Sequence, residues 1–89
     1  MADMNNTMVV IRANGSRGSI SPTWDAAKAA LGGAMIEVVY LRGGAVLLVD
    51  EEGLLKSLDL NIVATNIAGH EIVGDAVMVP KELVTAVLD

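Results

Sequence analysis

The stretch Ile36-Glu37-Val38-Val39-Tyr40-Leu41-Arg42-Gly43-Gly44-Ala45-Val46-Leu47-Leu48-Val49-Asp50-Glu51-Glu52-Gly53-Leu54-Leu55-Lys56-Ser57-Leu58 carries the clearest folding signal in the chain. Ile36–Leu41 is rich in β-branched and aromatic residues, which suit a pleated, half-buried surface. Arg42-Gly43-Gly44 reads as a turn. Ala45–Val49 is an unbroken aliphatic run, the pattern of a central strand covered on both faces. Asp50-Glu51-Glu52-Gly53 reads as a second tight turn, with the aspartate side chain closing it and Gly53 taking the left-handed position. Leu54–Leu58 then reads as a strand returning antiparallel. Residues 35–58 therefore predict a three-stranded meander.

Upstream, Met8–Ile11 is a β-type run, and Asn14-Gly15 is a strong hairpin-turn dipeptide. A short strand over Arg17–Ile20 completes the hairpin. Ser21-Pro22-Thr23 opens a helix: Ser21 or Thr23 supplies the N-cap oxygen, and Asp25 complements the positive helix end. Trp24, Ala27, Lys28 and Leu31 share one helical face, with Trp24 expected as its core anchor. Gly32-Gly33 stops the helix.

Downstream, Asp59 or Asn61 caps a short helix over Ile62–Ala68, ended by Gly69. Gly74-Asp75 turns into a last strand, Ala76–Val79. Pro80 starts a terminal helix whose apolar face is Leu83, Val84, Val87 and Leu88. The expected fold is α+β. It is a mostly antiparallel sheet of about five strands with a longer N-terminal helix, a short helix and a C-terminal helix, a half-open barrel being the variant. Residues 7–89 form one domain after a flexible stretch, residues 1–6.

Composition narrows the function. The chain has 89 residues, no cysteine and one histidine, so disulfides and thiolate metal sites are excluded. It is 53% hydrophobic yet holds no Phe, one Trp and one Tyr, so aliphatic residues must build a thin core. Surplus aliphatic surface points to self-association, a homo-oligomer with a dimer favoured, or to a protein partner. Residues 1–49 carry Arg12, Arg17, Lys28 and Arg42 against Asp3, Asp25 and Glu37, four minus three or +1. Residues 50–89 carry eight acids against Lys56 and Lys81, or −6. No basic cluster is present to displace counterions, so direct nucleic-acid binding is not expected. No apolar stretch reaches the roughly 20 residues of a membrane span, and no secretory signal opens the chain, so the expected place is the cytoplasm.

The motifs carry little chemistry. Asp50-Glu51-Glu52 lacks the ligand spacing of a cation loop, and an exposed turn does not shift a pKa by burial. His70 follows Gly69 in a loop, and no Ser, Lys or acid is locally placed to form an obvious triad with it. Arg42-Gly43-Gly44 lacks the Gly-Lys-Ser/Thr of a phosphate loop. Neither Asn14–Gly18 nor Gly74-Asp75 sits in a nucleotide or catalytic pattern. No catalytic residue, metal site or cofactor is expected. Asn61 and Thr65 lie four apart on one helical face, and Asn66 follows. With Asp50 and Glu51 of the acidic turn, Asn61, Thr65 and Asn66 are the candidate binding residues.

An ordered set of segments resembles a small family from bacteriophages, plasmids and other mobile elements, the domain of unknown function numbered thirty-eight forty-six. The segments are Leu31-Gly32-Gly33, Ile36-Glu37-Val38-Val39, Leu47-Leu48-Val49-Asp50-Glu51-Glu52-Gly53 with Leu54-Leu55, Asn61 with its small-residue helix, and Ile72-Val73-Gly74-Asp75-Ala76-Val77. The similarity runs over about residues 8–79. In the family this chain resembles, asparagine is usual where Asp50 stands and an aromatic often stands near Met35. The resemblance implies a phage or mobile-element context and supplies no substrate, cofactor or catalytic residue. The resulting expectation is a non-enzymatic interaction protein that binds a host protein, in counter-defence or regulation, in the host cytoplasm. The alternative is a small-molecule or nucleotide-metabolite binder with a pocket at a subunit interface.

Overall fold

A computed structural model describes residues 6–89. The expected flexible stretch 1–6 lies, apart from Asn6, outside the described residues. Among these, the elements in chain order are β1 Met8–Ile11, β2 Arg17–Ile20, α1 Trp24–Ala30, β3 Ile36–Tyr40, β4 Val46–Asp50, α2 Ile62–Ala68, β5 Ala76–Val79 and α3 Val84–Leu88. Short single turns over Arg42–Gly44 and Lys81–Leu83 precede β4 and α3. The five strands make one sheet in the order β2-β1-β5-β4-β3, with every neighbouring pair antiparallel.

The expected α+β class and the antiparallel five-stranded sheet hold. The three-stranded meander does not. Leu54–Leu58 is not a strand; it winds through tight turns, with Lys56 N–H donating to Glu52 O and Ser57 N–H donating to Leu54 O. The free edge of β4 is taken by β5 instead, with Leu48 opposite Val77 and Val46 opposite Val79. The reason is burial. Ala76, Val77 and Val79 are fully buried and fill both faces of the central position, whereas Leu54 and Leu55 are exposed. Gly53 does not adopt the left-handed region either. It is small because a Cβ there would meet Val73 Cγ2 at 2.9 Å.

The alternation of side chains across the sheet builds two cores. On one face Met8, Val10, Val46, Leu48, Val77 and Val79 pack with Ala27 of α1 and Val87 of α3. On the other, Val39, Leu47, Val49 and Ala76 pack with Ala64 of α2 and with Ile72. The sheet is thus a middle layer between helices, and the aliphatic strands β1, β4 and β5 carry buried residues on both faces.

The N-terminal helix is not long. α1 has seven residues, the same as α2. Thr23 is its N-cap, accepting from Ala26 N–H at 3.1 Å. The helix ends at Leu31, and Lys28 Nζ donates to Ala34 O at 2.9 Å, tying the helix end to the start of β3. Trp24 is not the core anchor: it stays 38% exposed, and Ala27 is the buried residue of that helix. In the β1–β2 hairpin Gly15 takes φ +91°, while Asn14 keeps a negative φ and accepts Ser16 N–H with its side chain. Gly15 N–H donates to Arg12 O and Arg12 N–H to Ser16 O, a three-residue hairpin loop.

Candidate functional site

Asn61 is the most constrained of the candidate residues. It is the N-cap of α2, accepting Ala64 N–H on Oδ1 at 3.0 Å. The residue is fully buried. Its Nδ2 donates to Ile11 O and to Gly74 O, both at 2.9 Å. Its backbone N–H donates to Ile72 O at 2.8 Å. One amide therefore joins the end of β1, the turn before β5 and the start of α2. Both of its side-chain donors are consumed inside the fold. Thr65 has a similar use, its Oγ1 accepting Ile72 N–H at 2.9 Å and donating to Ile72 O at 3.3 Å. Asn66 faces away and is exposed. The Asn61, Thr65 and Asn66 side chains therefore do not converge.

Asp50 ends β4 and organises the segment after it. Oδ1 accepts Glu52 N–H at 2.8 Å, an aspartate-closed turn. Oδ2 accepts Lys56 Nζ at 2.8 Å. The hydrogen bond from Lys56 holds the Asp50 carboxyl below the usual carboxylate range, helped by Glu52 N–H. The same bond raises the Lys56 ammonium above its ordinary value. Both groups are thus locked in their charged forms at neutral pH, which is the opposite of what proton transfer near neutrality requires. Glu51 is exposed at the start of the turn.

Asp50 and Lys56 border a cleft of about 490 Å³ that also touches Leu31, Leu58, Asp59 and Asp75. Asp75 is held by Arg12 Nη1 at 2.8 Å and by Ala13 N–H at 2.9 Å. Each of these two cleft carboxylates, Asp50 and Asp75, is therefore met by a cation and a backbone donor. Gly74, on the cleft floor, has φ +79°, and a Cβ there would lie 2.7 Å from Leu58 Cδ1. Glu51, His70, Glu71 and Leu54 instead line a smaller hollow of about 220 Å³ beside Val39 and Val49. Among the described residues no buried side-chain nitrogen or oxygen lacks a partner, and no group of three His, Asp or Glu is arranged to hold a metal ion. No helix among them is long and apolar enough to cross a membrane.

The family model for DUF3846, a domain of unknown function, matches residues 5–83. This chain belongs to the DUF3846 family. No curated protein and no solved structure matches it significantly.

The DUF3846 segments supply Asp50, Asn61, Gly74 and Asp75 of this geometry, while Arg12 and Lys56 lie outside them. An asparagine at position 50 would keep the turn closed, because its amide oxygen also accepts Glu52 N–H; the Lys56 ion pair needs the carboxylate charge. The small-residue helix after Asn61 places Ala64 and Ala68 against the sheet. Two features of this DUF3846 chain escaped sequence reasoning. Arg12 and Asp75 are 63 positions apart, and only the pairing of β1 with β5 brings them together. Leu54 and Leu55 read as strand residues, yet they stand 75% and 84% exposed on the turn segment.

Proposed function

We propose that this chain acts by contact, as a small non-enzymatic interaction protein of phage or mobile-element origin that binds a host protein in the host cytoplasm. The observation that carries the reading is the projection after β4. Leu54 and Leu55 are 75% and 84% exposed there, on a segment closed by Asp50, Glu52 and Lys56 and flanked by the exposed acids Glu51 and Glu52. Two leucines kept out of the core on a braced turn are apolar area available to a partner. Burying both would contribute about 2–5 kcal/mol to an interface. The acids around them favour a partner with a basic rim and help to exclude others. The aliphatic composition also supports self-association, with a dimer as the simplest form.

The test is capture from host lysate on immobilised wild-type chain and on a Leu54→Glu, Leu55→Glu double variant, followed by titration with the purified captured protein. The reading expects a partner bound by the wild type and weakened on the order of tenfold or more by the variant. Equal binding by both chains removes the projection as the contact surface.

A second reading, a small-molecule or nucleotide-metabolite binder, is supported by the 490 Å³ cleft between Leu31, Asp50, Leu58 and Asp75. That volume falls within the range of ligand pockets. A thermal-shift screen with nucleotide metabolites tests it: a saturable rise in melting temperature, abolished by Leu31→Trp to fill the cleft, favours this reading over the first.

A further inference from the structure

The two edges of the sheet are built differently. β2 reads Arg17-Gly18-Ser19-Ile20, short and polar, with its first three residues exposed. That composition discourages strand addition. β3 is the opposite edge and reads Ile36-Glu37-Val38-Val39-Tyr40. It has no proline, lysine or glycine, and four of its five residues are apolar.

The register shows which backbone groups of β3 are free. Glu51 N–H donates to Met35 O and Leu41 N–H donates to Ala45 O, so the odd-numbered residues of this strand face β4. By the alternation of an antiparallel ladder, the N–H and C=O groups of Ile36, Val38 and Tyr40 point outward. These three residues are spaced symmetrically about Val38. We infer that β3 is a self-complementary edge on which a second copy of this chain docks, antiparallel and centred on Val38, to give a continuous ten-stranded sheet across two molecules. The inference rests on the self-association proposed above and names the surface that carries it.

Only one register suits all the residues. With Val38 opposite its own copy, Ile36 lies opposite Tyr40 of the second copy. The three outward residues then form three hydrogen-bonded pairs, on the order of six bonds, the most that this strand can make. Glu37 falls opposite Val39. A shift that brings Ile36 opposite Val38 would put the two Glu37 carboxylates directly across from each other, a like-charge pair in close contact, and would lose bonds. In the centred register the exposed Tyr40, at 78%, gains a β-branched cross-strand neighbour on the face already occupied by Ile36 and Val38. The Leu54–Leu55 projection lies outside the strand itself, beside it, with Leu54 sharing a hollow with Glu37 and Val39.

The experiment measures the mass of the full chain in solution by light scattering over a concentration series, with residue-resolved amide exchange. The expected result is a species of twice the 9.2 kDa chain mass, with the N–H groups of Ile36, Val38 and Tyr40 protected as concentration rises. Val38→Pro deletes an outward donor without removing a bond to β4, and should raise the dissociation constant on the order of tenfold or more. Tyr40→Lys changes an exposed side chain, leaves the monomer fold intact and should also weaken the dimer. If the proline variant does not fold, the lysine variant and the exchange pattern decide. A monomer at all concentrations overturns both this inference and the self-association reading. A dimer that survives in folded Tyr40→Lys, or that leaves Val38 N–H unprotected, overturns the β3 edge alone.

Discussion

Replacing Asn61 tests the central claim about the buried polar residue, that it is a structural tie between three elements. Asn61→Ala removes the cap acceptor for Ala64 N–H and the two donors to Ile11 O and Gly74 O. Losing an N-cap costs about 1 kcal/mol. Each lost buried hydrogen bond adds about 1 kcal/mol, and more where a carbonyl is left without a donor. The sum is roughly 3–5 kcal/mol, against a total of about 5–15 kcal/mol for a domain of ordinary stability. Asn61→Asp is the sharper probe because it keeps the size and the cap oxygen. The introduced carboxyl would face two carbonyl oxygens in a fully buried position, where its ionised form is strongly disfavoured. Its pKa in the fold must therefore rise above the unfolded value. The sign follows: the unfolded chain gives up this proton first as pH increases, so the variant loses stability with rising pH above the ordinary carboxylate range. Urea unfolding at pH 4.5 and pH 7 measures this, with Asn66→Ala as the exposed control. The reasoning is refuted if Asn61→Ala costs no more than Asn66→Ala, or if the Asn61→Asp deficit is the same at both pH values.

Gly74→Ala should destabilise by about 2–3 kcal/mol in urea unfolding, because φ is +79° and the new methyl would sit 2.7 Å from Leu58 Cδ1. A loss below about 0.5 kcal/mol would show that the turn relaxes freely. Asp50→Asn should leave the turn closed, since Glu52 N–H keeps an acceptor, and remove only the Lys56 pair, whereas Asp50→Ala removes both. Because the pair lowers the Asp50 pKa, the advantage of wild type over Asp50→Asn is present at neutral pH and fades as pH falls through that lowered value. Because it raises the Lys56 pKa, the same advantage fades again in alkali above the ordinary lysine range. Melting temperatures of both chains across the pH range check the direction, and a difference that grows in acid would contradict the assignment.

Much of the local structure was legible. The caps came from the candidate pairs Ser21 or Thr23 and Asp59 or Asn61, and the structure selects Thr23 and Asn61, each accepting an N–H three residues on. Gly69 ends α2 with a left-handed residue, as expected of a glycine after small helical residues. The hairpin of β3 and β4 follows from two aliphatic runs around Arg42-Gly43-Gly44. Of the candidate site, the polar character of Asn61 and Thr65 was visible, but not that Ile11, Ile72 and Gly74 would absorb their hydrogen bonds.

What the sequence by itself determined is the set of strands, caps and turns whose causes lie within a few residues. The tertiary structure alone decided which apolar segment lies beside β4. Leu54–Leu58 and Ala76–Val79 are both aliphatic enough to be strands, and proximity favours the first. Ala76–Val79 wins because the central place must be filled on both faces at once, by α1 and α3 on one side and α2 on the other. That choice is nonlocal. It also brings Asp75 to Arg12, leaves Leu54 and Leu55 outside the core, and makes β3 the unpaired aliphatic edge of the sheet.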